Sequence, residues 1–316
     1  MKETDGKKST AQTKLIVIAG PTAVGKSGVA VNLAQRLNGE IIGADSMQVY
    51  RGMNIGTGKL SAAEMKGIPH HCIDIAHPGE DFTVKDFADA AKAAVDRIAA
   101  KGKTPIMTGG TGLYINAFLN GYSLSGAGKS EAYRETLRAA AREDGGEALY
   151  RRLAESDPQA AAKIDKNDLK RVIRALEIRH LTGESKSASA QKAPQSPYAY
   201  RVYILSRDRE ALYARINARV DKMMADGLLQ EAKSLLAYRN CNSMQALGYK
   251  QIFAYLDGEI ATEEALVALI KQKTRNYAKR QLTFFRGMPL AHKEWLDADD
   301  ERALLQKAQA FIDDTA

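Results

Sequence analysis

The sequence predicts an α/β fold, in which a parallel β-sheet carries crossover helices and a helical insertion interrupts the sheet. Three short runs of mainly apolar residues, LIVIAG, EIIGAD and TPIMT, are typical of buried parallel strands. Glycine-rich turns and stretches with helical spacing lie between these runs. Strand, glycine loop and helix in repeated order indicate a parallel sheet whose strands are joined by helices.

The first part of the chain supplies the predicted strands in order. Leu15–Gly20 is predicted as the first strand, and it runs through PTAVGKS into GVAVNLAQRL, whose apolar spacing predicts a helix. The second strand, EIIGAD, ends at Asp45. The third strand, Thr104–Thr108, follows an alanine-rich helical stretch at Val84–Ala100 and precedes the glycine loop GGTGLY.

The middle of the chain changes to helical sequence. A segment rich in glycine and serine, Gly121–Ser130, leads into Glu131–Leu181, which has almost no strand pattern. Apolar residues at spacings of three and four predict a helix there; they are Leu169, Val172, Ile173 and Leu176. Thr182–Pro197, which is rich in serine, proline and lysine, predicts an exposed loop.

The rest of the chain returns to the α/β pattern. RVYILS, at Arg201–Ser206, is predicted as a returning strand, and helices are predicted to dominate from Asp208 onward. We therefore predict an α/β core with C-terminal helices at 14–121 and 199–316. A helical insertion domain is predicted at 122–198.

Composition and charge limit the class of protein. The chain has 316 residues, of which 45% are apolar and 27% charged, as in ordinary globular proteins. A net charge of +8 and a pI near 9.2 point to a polyanionic partner such as nucleic acid. Cys72 and Cys241 form no spacing motif, which fits a reducing cytosol. The polar start MKETDGKKSTAQTK and the lack of an apolar run of ~18 residues predict a cytoplasmic protein without a membrane segment.

The segment GPTAVGKS matches the phosphate-binding P-loop pattern. Its glycines let backbone N–H groups point into one concavity, and the helix N-terminus adds positive potential. Lys26 is predicted to contact phosphate oxygens, and the Ser27 hydroxyl to reach Mg²⁺. A chance glycine turn is the alternative, but the strand before the motif and the helix after it favour a P-loop NTPase-like core. The predicted diphosphate- or nucleotide-binding residues are Gly20, Pro21, Thr22, Ala23, Val24, Gly25, Lys26 and Ser27.

Two further features are predicted at the same edge of the sheet. In GGTGLY, Thr111 is placed to donate a hydrogen bond to a diphosphate oxygen, because loops at the carboxyl ends of parallel strands share one crevice. The alternative is a tight turn between strand and helix. Asp45, at the end of the second strand, is predicted to hold Mg²⁺ through water or to accept a proton, with a helix-capping or turn role as the alternative.

The segment PHHCIDIAHP superficially resembles a metal site. Neighbouring residues of an extended chain point to opposite faces, and the spacing does not match zinc sites. We therefore predict core and turn roles for His70, His71 and Cys72 rather than a metal site.

The basic charge is concentrated in a few stretches. Ile270–Lys293 contains seven lysines and arginines, Lys279 and Arg280 among them, and no acid, with Phe284 and Phe285 interleaved. An acid-free run of this kind is predicted to touch phosphates. Two basic pairs at helical spacing add to it; they are Arg171 with Arg174 and Arg215 with Arg219.

The motifs together resemble the tRNA dimethylallyltransferase family, also called tRNA isopentenyltransferases. The matching segments run from about Leu15 to Trp295; they are GPTAVGKS, ADSMQVYRGMNIGTGK, PHHCIDI, GGTGLY, NDLKRVIRALEIRHLTG, RINARVDKMMADGL, QALGYKQ and TRNYAKRQLTFFR. The resemblance implies transfer of a dimethylallyl group from dimethylallyl diphosphate to N6 of an adenosine. This adenosine lies next to the anticodon on its 3′ side, in tRNAs that read codons beginning with U.

The resemblance also implies roles for individual residues. Lys26, Ser27 and Thr111 are implied to bind the diphosphate together with Mg²⁺, and Arg219 to meet the same group. Asp45 is implied to take the proton from the adenine amine as the amine attacks the allylic carbon. An exocyclic amine is a poor nucleophile, so a positioned carboxylate and a stabilised leaving group both assist it.

Further matching stretches imply contacts with the tRNA anticodon stem-loop. The implied residues are Asp45, Ser46, Met47, Gln48, Thr111, Arg134, Lys170, Arg171, Val172, Ile173, Arg174, Gln245, Ala246, Leu247, Gly248, Tyr249, Lys250, Lys279 and Arg280. The chain departs from the family at LSGAGKSEAYRETL, where many members are rich in proline and aspartate, and at Met47, where many have arginine.

Two other classes of protein remain to be distinguished from a transferase. A small-molecule P-loop kinase would show the same loop and sheet, and whether ATP binds this P-loop is open. A nucleic-acid-binding protein without catalytic activity would explain the basic stretches but not the two glycine loops and the acid. A GTPase is disfavoured because Asp-x-x-Gly and Asn-Lys-x-Asp are absent. We expect a monomer.

Overall fold

Six parallel strands form the central sheet in the part of the chain that the structure describes. The structure is a computed structural model and describes residues 12–120, 128–185 and 196–314. The strands are β1 Lys14–Ala19, β2 Gly39–Gly43, β3 His70–His71, β4 Thr104–Gly109, β5 Ala199–Ser206 and β6 Lys293–Asp297. Their order is β3-β2-β4-β1-β5-β6, and every neighbouring pair is parallel. The predicted α/β fold class is confirmed.

Helices connect the strands and extend the fold after β5. In chain order they are α1 Lys26–Arg36, α2 Ala62–Met65, α3 Val84–Ala100, α4 Gly112–Leu119, α5 Glu131–Asp144, α6 Glu147–Ser156, α7 Pro158–Ala161, α8 Leu169–Thr182, α9 Arg209–Ala225, α10 Leu228–Ser234, α11 Tyr249–Leu256, α12 Glu263–Gly287 and α13 Glu301–Asp313. Short 3₁₀ turns lie at Leu236–Tyr238 and Asn242–Gln245. None of the described helices has the length and apolar character needed to cross a membrane.

Apolar layers cover both faces of the sheet. Successive side chains of β1 point to opposite faces, so Leu15, Val17 and Ala19 join one apolar cluster while Ile16 and Ile18 join the other. All five are fully buried. Burial on both sides explains why β1 is a continuous apolar run rather than an alternating one.

Two strands lie outside the predicted set. β6 lies in the part of the chain after Asp208, where helices were predicted to dominate and no strand was predicted. Its sequence, KEWLD, is mostly exposed and lacks an apolar run, because it is an edge strand that pairs with β5 on one side only. β3 has only two residues, His70 and His71, and adds to the opposite edge beside β2.

The chain divides into two units. One comprises the described residues up to Leu119 and from Pro197, and the other runs from Asn120 to Ser196. The second unit contains α5–α8, so the helices predicted there are present, and the predicted bounds of the insertion lie close to this division. Its core is formed by Leu137, Leu149, Leu153, Ile164, Val172, Ile173 and Leu176. Parts of the two predicted links, residues 121–127 and 186–195, lie outside the described residues.

Candidate active site

The P-loop joins β1 to the N-terminus of α1. Gly25 adopts the left-handed conformation with φ 110°, and the helix begins directly after it at Lys26. The N–H groups of a first helical turn have no partner within the helix, so they face the loop and can bind an anion. Lys26 folds back over the loop, and its Nζ donates to the carbonyl of Pro21 at 2.7 Å.

Lys26 has an unusual charge environment. Removal from water, together with repulsion from Arg219, lowers the pKa of Lys26 to about 7, although Asp45 acts in the opposite direction. Burial also lowers the pKa of Arg219, again against the effect of Asp45. Two crowded cations with a single nearby carboxylate favour the binding of an anion.

Two arginines hold the P-loop from its outer side. Arg215 Nε donates to the carbonyl of Ala23 at 2.9 Å, and Arg207 Nε donates to the carbonyl of Val24 at 3.0 Å. Arg207 also pairs with Asp299. The sequence predicts Arg215 and Arg219 as a basic pair, but in the structure Arg215 binds a backbone carbonyl of the P-loop.

Asp45 has the turn role that was the alternative to a chemical one. Its Oδ1 accepts hydrogen bonds from the backbone N–H groups of Met47 at 2.9 Å and Gln48 at 3.3 Å, which fixes the turn after β2. Its Oδ2 accepts no hydrogen bond from the described residues. One oxygen therefore holds the turn, and the other is available to accept a proton.

Thr111 links the second glycine loop to this turn. Its Oγ1 accepts a hydrogen bond from Ser46 N at 2.9 Å and lies 3.3 Å from Ser46 Oγ. Thr108, Gly109 and Gly110 line the neighbouring cavity, whereas Thr111 does not. The structure thus places Thr111 against Ser46, and its predicted bond to a diphosphate would require the hydroxyl hydrogen to turn away from Ser46 Oγ.

Arg219 reaches the cavity from α9. Its Nη2 lies 3.3 Å from the carbonyl of Thr57 and 3.5 Å from that of Gly58, and Gln48 Nε2 donates to the same two carbonyls at 3.1 and 3.3 Å. A Cβ on Gly58 would lie 1.7 Å from Arg219 Nη2, so a side chain at this position would displace the guanidinium. Gln48, predicted to contact tRNA, is bonded to the protein backbone here.

These residues surround two cavities that share one wall. The smaller, about 80 Å³, is lined by Lys26, Asp45, Arg219 and Tyr277 among others. The larger, about 980 Å³, extends along α9. The shared lining residues are Lys26, Ser27, Gly58, Leu60 and Arg219. An anion at the P-loop would therefore lie between the two cavities, with Asp45 in the smaller one.

A carboxylate on α10, missed at the sequence level, anchors the loop that holds Arg219. Glu231 accepts hydrogen bonds from the backbone N–H groups of Asn54, Ile55 and Gly56 at 2.8–2.9 Å. It also accepts the hydroxyl of Tyr249 at 2.6 Å. These contacts fix the segment that continues into the carbonyls bound by Arg219.

Gln281 on α12 was also missed. It is 6% exposed and lies on the same helix face as Ala278 and Phe285, which are fully buried. A polar residue within an apolar stripe is a sequence signal for a buried hydrogen-bonding role, because an unpaired buried amide is costly. Tyr277 lines the smaller cavity, and Arg280 lies over its ring.

The predicted tRNA segment 245–250 is only partly exposed. Gln245 and Lys250 are exposed, whereas Ala246, Gly248 and Tyr249 are buried. The structure therefore contradicts a direct tRNA contact by the Tyr249 side chain, which is fully buried and bonded to Glu231.

Other predicted contacts in the core also differ in exposure. Met47 packs beside an apolar cluster that includes Val49. Lys279 and Arg280 are exposed on α12. Lys293, at the end of the basic run, donates instead to the carbonyls of Phe285, Arg286 and Met288 near the C-terminus of α12.

The residues of the second unit that were predicted to contact tRNA also divide into exposed and buried ones. Val172 and Ile173 are buried in its core, so direct contact through these side chains is contradicted. Lys170 and Arg171 are exposed. Arg134 and Arg174 both pair with Glu177, which is fully buried. Burial alone would raise the pKa of Glu177, but hydrogen bonds from the two arginines and from Ser130 lower it to about 2.

The histidine-rich segment has its own partners within the sheet edge. His70 Nδ1 lies 2.8 Å from the carbonyl of Ile68, and His71 Nε2 lies 2.8 Å from Glu40 Oε2. Lys101 and Lys103 complete the surroundings of Glu40. The described residues contain no group of three or more histidine, cysteine or acidic side chains that could hold a metal ion.

The sheet, the loop before α1 and the cationic cavity define a P-loop-like fold whose loop lies at the carboxyl edge of its strands. A sequence model of the IPP transferase family matches residues 48–288. The chain belongs to this family.

The chain is also similar to known proteins over nearly its whole length. The tRNA dimethylallyltransferase of Halalkalibacterium halodurans is 48% identical over 91% of this chain and 92% of its own length. The tRNA dimethylallyltransferase of Geobacillus kaustophilus is 47% identical over 95% of this chain and 96% of its own length. A crystal structure of the tRNA isopentenylpyrophosphate transferase of Bacillus halodurans has 46% identity and a TM-score of 0.70, over 95% of this chain and 96% of that one. A crystal structure of a eukaryotic dimethylallyltransferase acting on tRNA has 30% identity and a TM-score of 0.83, over 95% of this chain and 79% of that one.

Proposed function

We propose that this chain transfers a dimethylallyl group from dimethylallyl diphosphate to N6 of the adenosine that follows the anticodon, in tRNAs that read codons beginning with U. The observation that carries the proposal is the meeting of Lys26, Arg219 and Asp45 on one cavity. Cations for a diphosphate and one carboxylate for a proton are the two aids that this reaction needs.

The reaction forms one bond and breaks another at the same carbon. The N6 nitrogen attacks the allylic carbon of the donor, and the bond from that carbon to the diphosphate oxygen breaks. The proton of the amine passes to Asp45 Oδ2, the oxygen that is not engaged by the backbone turn. The diphosphate leaves with the electron pair of the broken bond.

The P-loop and Arg219 stabilise the departing diphosphate. Lys26, at the start of α1, and Arg219 line both cavities, and the first turn of α1 supplies backbone N–H groups without a partner in the helix. Because negative charge increases on the bridging oxygen as the bond breaks, these cations interact more strongly with the transition state than with the donor.

Mg²⁺ fits this site through Ser27. The Ser27 side chain lines both cavities beside Lys26, and it makes no hydrogen bond to another described residue. A free hydroxyl next to diphosphate oxygens is the ligand set that Mg²⁺ takes, usually completed by water. When bound, the ion would neutralise part of the charge of the diphosphate.

The residues that we propose to contact tRNA are the exposed basic and polar residues of the predicted set, which lie in both units. They are Gln245, Lys250, Lys279 and Arg280 in the core and Lys170 and Arg171 in the helical unit. Since Lys26, Asp45 and Arg219 all come from one chain, we propose that a monomer carries out the reaction. We place it in the cytoplasm because its substrate is tRNA.

A labelling experiment tests the proposal against the kinase alternative, to which the relatives lend no support. The protein is incubated with tRNA lacking the modification and either dimethylallyl diphosphate labelled in its prenyl group or γ-labelled ATP. We expect label in tRNA only from the former, recovered after digestion as N6-(dimethylallyl)adenosine. A tRNA with guanosine at the target position is the matched control. Phosphorylation from ATP without prenyl transfer would overturn the proposal.

A further inference from the structure

A single buried amide connects the two glycine loops of the site. Gln281 Oε1 accepts a hydrogen bond from the backbone N–H of Thr22 at 2.9 Å. Its Nε2 donates to the backbone carbonyl of Gly110, also at 2.9 Å. Thr22 belongs to the P-loop and Gly110 to the loop after β4, so α12 joins both loops through one side chain.

The sequence of the second loop is adapted to this contact. A Cβ on Gly110 would lie 2.4 Å from Gln281 Nε2, a distance that side chains essentially never show. Gly110 does not have a positive φ, so its lack of a side chain serves this approach rather than the backbone conformation. The paired hydrogen bonds and the missing Cβ therefore point to the same contact.

The bridge also lies beside the reacting groups. Gln281 lines the smaller cavity together with Thr22, Lys26 and Asp45. The amide needs both partners, because a buried donor or acceptor left without one carries its full desolvation cost. Moving either loop relative to the other would break one of the two bonds.

We propose that Gln281 is a positioning residue, which holds the two loops at the separation required to bind the diphosphate of the donor. The inference rests on the proposed function for the identity of the donor, but the bridge itself acts on diphosphate binding. Gln281 does not touch the reacting atoms in this role. It acts through Thr22 and Gly110.

Gln281→Met tests the proposal, because methionine keeps the volume and length of the side chain but removes both hydrogen bonds. We expect the Kd for inorganic pyrophosphate, measured by calorimetry, to rise about tenfold, which corresponds to about 1.4 kcal/mol. The KM for dimethylallyl diphosphate should rise by a similar factor, while the KM for tRNA stays unchanged. Gln272→Met, at an exposed position of the same helix, is the matched control and should leave all three constants unchanged.

A second variant reports on the same contact from the other side. Gly110→Ala should displace Gln281 and raise the pyrophosphate Kd by a similar factor. Because both changes break one bridge, the double variant should be little worse than either single variant, whereas independent effects would multiply. Should Gln281→Met not fold, Gly110→Ala alone still gives the pyrophosphate measurement.

Three results would overturn the inference: unchanged pyrophosphate affinity in the folded variants, equal increases in KM for both substrates, or fully multiplicative effects in the double variant. Failure of the proposed function has a different signature. In that case the wild-type protein would bind pyrophosphate but transfer no prenyl group to tRNA.

Discussion

Replacing Asp45 by asparagine separates its chemical role from its structural one. Asparagine keeps an oxygen at the position of Oδ1, so the bonds from Met47 and Gln48 to the turn are preserved. The change replaces the other oxygen by an amide nitrogen, which carries no negative charge and cannot accept the proton. We therefore expect Asp45→Asn to fold with the stability of the wild type and to bind pyrophosphate and tRNA with similar affinity.

The expected loss of rate follows from the role of a general base. Such a group contributes about 10²–10⁴ in kcat, which corresponds to about 2.7–5.4 kcal/mol of transition-state stabilisation. Asp45→Ala should lose at least as much rate and also the two bonds to the turn. Because a capping side chain of this kind contributes about 0.5–2 kcal/mol, the alanine variant should unfold at lower denaturant concentration.

The assay is single-turnover prenyl transfer to tRNA with saturating donor, accompanied by denaturant unfolding of each variant. Asp89→Asn, an exposed acid on α3, is the control for the loss of one negative charge. If Asp45→Asn turns over like the wild type while its tRNA affinity is matched, Asp45 takes no part in proton transfer. If asparagine destabilises as much as alanine, the turn does not depend on Oδ1.

Three further predictions concern the surroundings of the donor and the tRNA. At pH 8 the Lys26 amine, with its pKa of about 7, is mostly neutral, so the wild type should take up a proton when it binds pyrophosphate, whereas Lys26→Arg should not. Calorimetry in two buffers of different ionisation enthalpy measures the proton uptake of each protein, and equal uptake by the wild type and Lys26→Arg would contradict the prediction. Glu231→Ala should lower the free energy of unfolding by about 2–4 kcal/mol, because several backbone N–H groups lose a charged acceptor. It should also raise the KM for the donor, because the loop that holds Arg219 is no longer fixed; a variant with unchanged stability and unchanged KM would show that Glu231 does not support the site. Changing Lys279 and Arg280 together to glutamine should reduce the slope of log affinity for tRNA against log salt by about one unit or more, whereas an unchanged slope would mean that this surface does not contact phosphates.

The sequence predicts the centre of the sheet better than its edges. β1, β2 and β4 are buried on both sides, so their residues must be apolar and the runs are visible. The edge strand at Lys293–Asp297 needs only its neighbour β5 for hydrogen bonds, and its residues are free to be polar. Its assignment depends on pairing with a distant segment, which no local pattern reports.

The candidate site shows the same division between local and distant contacts. The P-loop and Asp45 are recognisable because short motifs beside strand ends specify them. Gln281 and Glu231 bind backbone groups of loops far away in sequence, so their partners cannot be found by spacing. The burial of the Tyr249 side chain was not predicted, because a motif match does not report burial.

The parts of the site that distinguish this family come from the later half of the chain. A P-loop after a buried strand would serve a kinase as well as a transferase, and the match to the IPP transferase family indeed begins at residue 48, after the P-loop has ended. Arg219 from α9 adds a buried cation opposite Lys26, and Gln281 from α12 joins the P-loop to the second glycine loop. With Asp45 beside them, the same loop that would hold a nucleotide in a kinase can hold the leaving group of an alkyl transfer. Under the proposed function, the helices after β5 thus supply the residues that hold the departing diphosphate, while Asp45 takes the proton.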